Sequence, residues 1–125
     1  MQITTPLSDE LSRYLDLSSL ELKLTAQNMA NVDVPGYRAV GFDFAQEMQR
    51  SIGDALASRK RDTAKAGSDV NVTKVDGLVE RPDGNNVSMD REGMKMAEAQ
   101  LQFRTGEELL KREFTRVMDA IHADK

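Results

Sequence analysis

The sequence predicts a mainly α fold. Long N- and C-terminal helices form an antiparallel, coiled-coil-like pair, with a shorter middle helix and an irregular or weakly β loop between them. Three observations carry this. Apolar residues recur at 4-3 spacing near both ends, a helix-stopping stretch follows the first run, and a polar segment with several Gly, Asp and Asn residues separates the two.

Ser8, followed by Asp9 and Glu10, reads as the start of the first helix, with acidic residues in its first turn. Leu11, Leu15, Leu22, Met29 and Val32 then keep the 4-3 rhythm, with Ser18 and Thr25 at its two weaker positions. Leu17, Leu20 and Leu24 form a second line on a neighbouring face. A helix with two apolar stripes is expected to have two partners, one in its own chain and one elsewhere. Running from Ser8 to Ala30, it would be roughly 34 Å long at about 1.5 Å per residue.

The stretch Asn28-Met29-Ala30-Asn31-Val32-Asp33-Val34-Pro35-Gly36-Tyr37 ends that helix. Asn28 and Asn31 suit a last turn and C-cap, since both tolerate left-handed backbone and bond their own main chain. Pro35 lacks an N–H and pushes Val34 towards an extended conformation. Gly36 supplies the permissive position of a Pro-Gly turn, and the Tyr37 ring then lies back on the helix with its hydroxyl on a polar partner. The result is a rigid helix-to-extended corner.

Beyond it, Val40, Phe42 and Phe44 alternate as in an extended segment. A second helix, from Asp43 or Phe44 to about Ser58, places Phe44, Met48, Ile52 and Leu56 at successive fours, with Gly53 weakening it. Residues 59 to 90 read as a loop or loosely held hairpin around Val70, Val72 and Val75, closed by the Arg81-Pro82-Asp83-Gly84 turn. Ser88 opens the last helix. Met89, Gly93, Met96, Gln100, Phe103, Glu107, Leu110, Phe114, Val117 and Ile121 keep the 4-3 alternation, and the C-terminal half has the stronger seam. Met94, Ala97 and Leu101 add a flanking stripe, better explained by packing between subunits. The chain thus divides into 1-37, the first helix and its corner; 38-87, the middle segment; and 88-125, the last helix, all one structural unit.

Composition bounds the function. The 125 residues are 39% hydrophobic and 30% charged but only 5% aromatic, without Trp, which favours an elongated helical molecule over a compact core. A net charge of -4 argues against a general nucleic-acid binder, and no window is apolar enough for membrane insertion. No Cys is present, so thiol nucleophiles and Cys-based metal sites are excluded. The N-terminus has no basic flank and no sustained apolar run, so no cleaved signal peptide is expected.

Catalytic constellations are wanting. His122, near the end of the last helix, reads as a surface imidazole, and no strand-turn-helix frames a nucleophilic serine. Asp69, Asn71, Thr73 and Glu80 match part of a calcium-loop template, but Lys74 stands where that loop needs Gly and the intervening valines suit a strand. Asn71-Val72-Thr73 and Asn86-Val87-Ser88 match the glycosylation sequon, a short pattern common in polar loops. Arg59-Lys60-Arg61 reads as a solvated linker end, with no interleaved aromatic to suggest nucleic acid. The chain is expected to be no enzyme and to need no cofactor or metal.

The segment from Leu24 to Ala39 resembles the signature of the bacterial flagellar basal-body rod protein family, approximately A-x-N-(I/L)-A-N-x-x-T-P-G-Y-(K/R)-A. Met29 stands at its aliphatic position and Val34 where threonine is usual. Phe42-Asp43-Phe44 and the block from Asp83 to Glu92, with Met96-Ala97-Glu98 and Gln100-Leu101, resemble the proximal-rod branch rather than FlgC, its neighbour in the rod. The resemblance covers both ends and leaves residues 59 to 82 unsupported. It implies a structural subunit of the flagellar drive shaft that serves motility, leaves the cell by the flagellar type III export apparatus, and sits in the periplasmic rod. It also implies assembly through terminal helices around a channel, beside FlgC and further rod subunits, FliE and the MS-ring protein FliF. The alternatives are another axial subunit such as FlgC, or a helical export adaptor or chaperone. Asn28, Ala30, Asn31, Pro35, Gly36 and Tyr37 are then the corner. Leu11, Leu15, Leu22, Met29, Met96, Phe103, Leu110, Phe114, Val117 and Ile121 are the candidate subunit-packing residues.

Overall fold

The computed structural model describes residues 4–61 and 69–123. In chain order they form α1 (Pro6–Ala30), β1 (Val40–Gly41), α2 (Phe44–Arg61), β2 (Thr73–Lys74) and α3 (Met89–His122). The helices α1 and α3 pack against each other antiparallel, as Asn28 meets Glu92 at one end and Thr5 meets Glu113 at the other. β1 and β2 pair antiparallel, Val40 opposite Lys74 and Gly41 opposite Thr73.

The start of α1 lies three residues earlier than its sequence suggests. Thr5 is the N-cap and Pro6 the first helical residue, where a missing N–H costs nothing. Ser8 instead closes a capping box: its N–H donates to Thr5 Oγ1 (3.1 Å) and its Oγ accepts from the Thr5 N–H (3.0 Å). Ser88 caps α3 as expected.

The seam between the long helices is narrower than the apolar pattern implies. On α1 the fully covered positions facing α3 are the supposed weak ones, Ser18 and Thr25, while Leu11, Leu15, Leu22 and Met29 are half-buried beside them. On α3 the buried line is Glu92, Ala99, Gly106 and Glu113, one residue back from the predicted Gly93, Gln100, Glu107 and Phe114. Met96, Phe103, Leu110 and Val117 flank it, half-buried. Small side chains explain the shift. A Cβ on Gly106 would stand 2.9 Å from Tyr14 Cδ1 and 3.0 Å from Leu15 Cδ2, so the backbones approach closely there and the large residues lie to the sides. The second line on α1 is also covered by this chain, since Leu17 and Leu24 are buried.

The middle segment hangs on this hairpin. Asp43 begins α2 by accepting the N–H of Gln46 at Oδ1 (3.0 Å), and the Phe44 ring meets Tyr14 edge-on (5.2 Å between centroids, 80°). Glu47, buried, accepts the Asn71 N–H (3.2 Å), tying α2 to the segment that leads into β2. The hairpin read within 59 to 90 is therefore a pairing of β2 with β1 instead. The helix backbone continues through Arg61, and residues 62–68 lie outside the described residues.

Candidate functional site

Asn28 occupies the last full turn of α1 on the face towards α3, 1% exposed. Its Nδ2 donates to the Val40 carbonyl (2.9 Å) and to Glu92 Oε2 (3.0 Å). Its Oδ1 accepts from the Val40 N–H (3.0 Å) and the Tyr37 hydroxyl (3.1 Å). Both donors and both lone pairs of the amide are used. Because the same amide meets the N–H and C=O of Val40, it acts towards β1 as an adjacent strand would and closes that edge. Burial raises the Tyr37 phenol above its usual range, opposed by a hydrogen bond with Gln27 and reinforced by Glu92, so it stays a proton donor.

Asn31 is the C-cap of α1, as expected, without using the left-handed backbone it tolerates (φ -103°, ψ 15°); its Nδ2 donates back to the Gln27 carbonyl (2.7 Å). The left-handed residue is Gly36, at φ +73°, inside a Pro-Gly turn closed by the Tyr37 N–H on the Val34 carbonyl (3.2 Å). The Gly36 N–H donates to the Asp83 carbonyl (2.8 Å). Across from it Gly84, at φ +83°, comes so close that an added Cβ would sit 3.3 Å from Gly36 Cα. Here two turns from distant parts of the sequence touch backbone to backbone. Pro35 and Ala30 are exposed; Pro35 acts through its ring-fixed backbone, and no contact accounts for Ala30.

Asn85 and Asn86, both buried, complete the corner. Asn85 Nδ2 donates to the carbonyls of Asn31 (3.0 Å), Val32 (3.1 Å) and Val34 (2.8 Å), in the cap and the turn that follow α1. Its Oδ1 accepts the Val87 N–H (2.8 Å). Asn86 Oδ1 accepts the Ala39 N–H (2.7 Å) and its Nδ2 donates to the Val75 carbonyl (3.2 Å), joining the approaches to β1 and β2. The Arg81 guanidinium also donates to the Val32 carbonyl and pairs with Asp83 (3.7 Å).

The two sequence blocks that resemble rod proteins thus form one site. Of the predicted corner residues, Asn28, Asn31, Gly36 and Tyr37 are in its network. Asp83, Gly84, Asn85, Asn86 and Glu92 were not foreseen as their partners. The available signal was a pair of asparagines after Asp83-Gly84, one more amide than a turn needs.

Most of the large apolar side chains left exposed among the described residues lie on α3. Met94 and Leu101, 72% and 67% exposed, point away from α1. Phe114, Met118 and Ile121 continue the seam face past Glu113, the residue that meets the N-cap of α1, and are about half exposed. Among the described residues no group of three His, Cys, Asp or Glu could hold a metal, and none of the helices is long and apolar enough to cross a membrane. His122 lies on the exposed end of α3 with Nδ1 2.8 Å from the Met118 carbonyl. Thr73, from the calcium-loop template, is in β2.

No family model matches the chain. Curated relatives do. The flagellar basal body rod protein FlgB of Salmonella typhimurium is 32% identical over 104 residues, covering 74% of this chain and 75% of the relative. FlgB of Cereibacter sphaeroides (strain ATCC 17029) is 32% identical over 120 residues, covering 90% and 91%. FlgB of Borrelia hermsii is 29% identical over 106 residues, covering 74% and 78%. With its two resembling blocks joined in one corner and its similarity running through most of both chains, the protein belongs to the FlgB family of flagellar basal body rod proteins.

Proposed function

We propose that the protein is a non-catalytic structural subunit of the proximal rod, which helps to transmit torque along the flagellar drive shaft. The observation that carries this is the uncovered apolar surface of α3 in a member of the FlgB family. Met94 and Leu101 on one face, and Phe114, Met118 and Ile121 beyond the reach of α1, are large apolar residues on a chain with no other evident use for them. A shaft needs subunits that repeat by a head-to-tail, non-closing contact, and two separate apolar surfaces on one helix suit such an array. The corner at Asn28 to Tyr37 sets the direction in which the middle segment leaves the hairpin. In this reading the neighbours are further copies, FlgC and other rod subunits, FliE and FliF. The chain reaches the periplasmic rod through the flagellar type III export apparatus without a cleaved signal. The FlgB relatives give the FlgC and adaptor alternatives no support.

The test uses the exposure of Phe114. Leu110→Asp would strike a half-buried seam residue and confound folding with assembly, whereas Phe114→Asp alters a side chain 52% exposed in the single chain. Phe114→Asp is expected to leave synthesis and helical content unchanged while abolishing rod assembly and swimming. Normal swimming in that strain would sink the role given to this surface.

A further inference from the structure

The buried line of α3 has carboxylates at its ends and small residues between them: Glu92, Ala99, Gly106, Glu113, one per heptad. A seam built only for stability would carry apolar side chains at all four. Each glutamate instead faces one specific polar group of α1. Glu92, 1% exposed, accepts from Asn28 Nδ2. Glu113, 4% exposed, accepts from the Thr5 hydroxyl (2.8 Å), the same hydroxyl that takes the Ser8 N–H in the capping box, and from its neighbour Arg116 (2.8 Å).

We propose that Glu92 and Glu113 set the register of the hairpin, selecting one alignment of α1 with α3 among those that the 4-3 pattern permits. The repeat of α3 leaves one-heptad slips open as far as apolar burial goes. The carboxylates and Gly106 close both. A slip that carries Glu113 into the place of Gly106 sets a charged side chain against Tyr14 and Leu15, where not even a Cβ fits. The opposite slip puts Ala99 in that crowded place and Glu92 in the dry position of Ala99. Either way a buried carboxylate loses its donor on the α1 side of the seam and is carried against side chains that offer none, which is how one polar residue at a seam position chooses among alignments. The chosen alignment also sets how much of α3 projects past Thr5. The inference does not depend on the rod reading, since it concerns the single chain.

The test is a distance measurement on the full chain. With no native Cys, spin labels can be placed on Lys23→Cys and Arg112→Cys, both exposed and well separated along the hairpin. A one-heptad slip moves one helix along the other by about 10 Å. The labelled parent is expected to show one narrow distance. Adding Glu92→Ala and Glu113→Leu together with Ala99→Gly, so that a glycine again meets Tyr14 and Leu15 after the slip, is expected to keep the helical content and give a second population displaced by up to about 10 Å. Ala99→Gly alone is expected to keep only the parental distance, and a second population there overturns the proposal. So does a helical triple variant with only the parental distance, or a triple variant that loses its helices while Ala99→Gly keeps them, because the carboxylates would then be holding the fold and not choosing among alignments.

Discussion

Gly106→Ala is the sharpest probe of the helix pair, because two known effects oppose each other and the geometry decides between them. In an open helix the change stabilises by about 0.8–1 kcal/mol, since alanine gives up less backbone freedom on folding. In this seam the new Cβ would stand 2.9 Å from Tyr14 Cδ1 and 3.0 Å from Leu15 Cδ2, against the 3.5–4.0 Å of an ordinary carbon contact. The Leu15 methyl can turn aside, but the Tyr14 ring is held edge-on by Phe44, so yielding there disturbs the seat of α2. Overpacking of this kind costs about 1–3 kcal/mol. The net expectation is a loss of about 1 kcal/mol, or roughly 4 °C in Tm. Gly93→Ala is the control: it lies in the same helix, with nothing within 4 Å of the added Cβ, and should gain about 0.8–1 kcal/mol. Thermal melts of the full chain followed by circular dichroism measure both. If the two variants rise together, α1 and α3 do not approach each other as described.

The corner and one charged group give further expectations. Asn85→Asp should cost roughly 3 kcal/mol or more in chemical denaturation, since it removes the donor shared by three carbonyls and aims a buried carboxylate at them; a loss under 1 kcal/mol would deny the amide its role. Gly36→Val should lower stability by about 1–2 kcal/mol because of its left-handed backbone, although nothing stands within 4 Å of the new Cβ, while Val34→Thr should be near neutral at an exposed position. Equal effects would show that backbone geometry at Gly36 does not govern the turn. Glu21 is held above its usual range by burial and by Glu98, against Lys95. A raised carboxyl contributes stability at low pH that is lost as pH rises through its folded value, so Glu21→Gln should melt higher than the parent at pH 7, with the difference vanishing below about pH 4. A constant difference across that range would place the origin elsewhere.

How much of this was legible in the sequence follows from the kind of interaction involved. Local rules read well. The Pro35-Gly36 turn, the Ser88 cap, the end of α1 at Ala30 and the antiparallel terminal helices follow from backbone chemistry and periodicity, and the structure bears them out. Periodicity misled where the best-packed contact was made by the smallest residues. Counting apolar side chains ranked Ser18 and Thr25 low and passed over Gly106, although close backbone approach puts them at the centre of the seam. The partners of the corner were beyond any local rule. Nothing near Asn85 says that its amide will meet the carbonyls of Asn31, Val32 and Val34, because that pairing exists only once β1, α2 and β2 have brought the chain back.

The distribution of polar and apolar groups divides the work of a rod subunit in two. Apolar burial is weakly directional, so a corner held only by valines and leucines could rotate with little change in area. The corner here is held by amides whose bonds at Asn28, Asn85 and Asn86 depend on angle as well as distance, and each sits where water cannot replace a broken bond. Bending it would leave several buried groups unpaired at once, at about 1–3 kcal/mol each. That is resistance to deformation, which stability alone does not provide. The uncovered apolar residues of α3 have the complementary property: their contribution on contact scales with area and is tolerant of small misalignments, which is what the proposed joints between subunits require. It follows that changes in the two regions should fail differently. Loss of Phe114 should prevent subunits from joining, whereas loss of Asn85 should let the hairpin form and leave the direction of its middle segment unset.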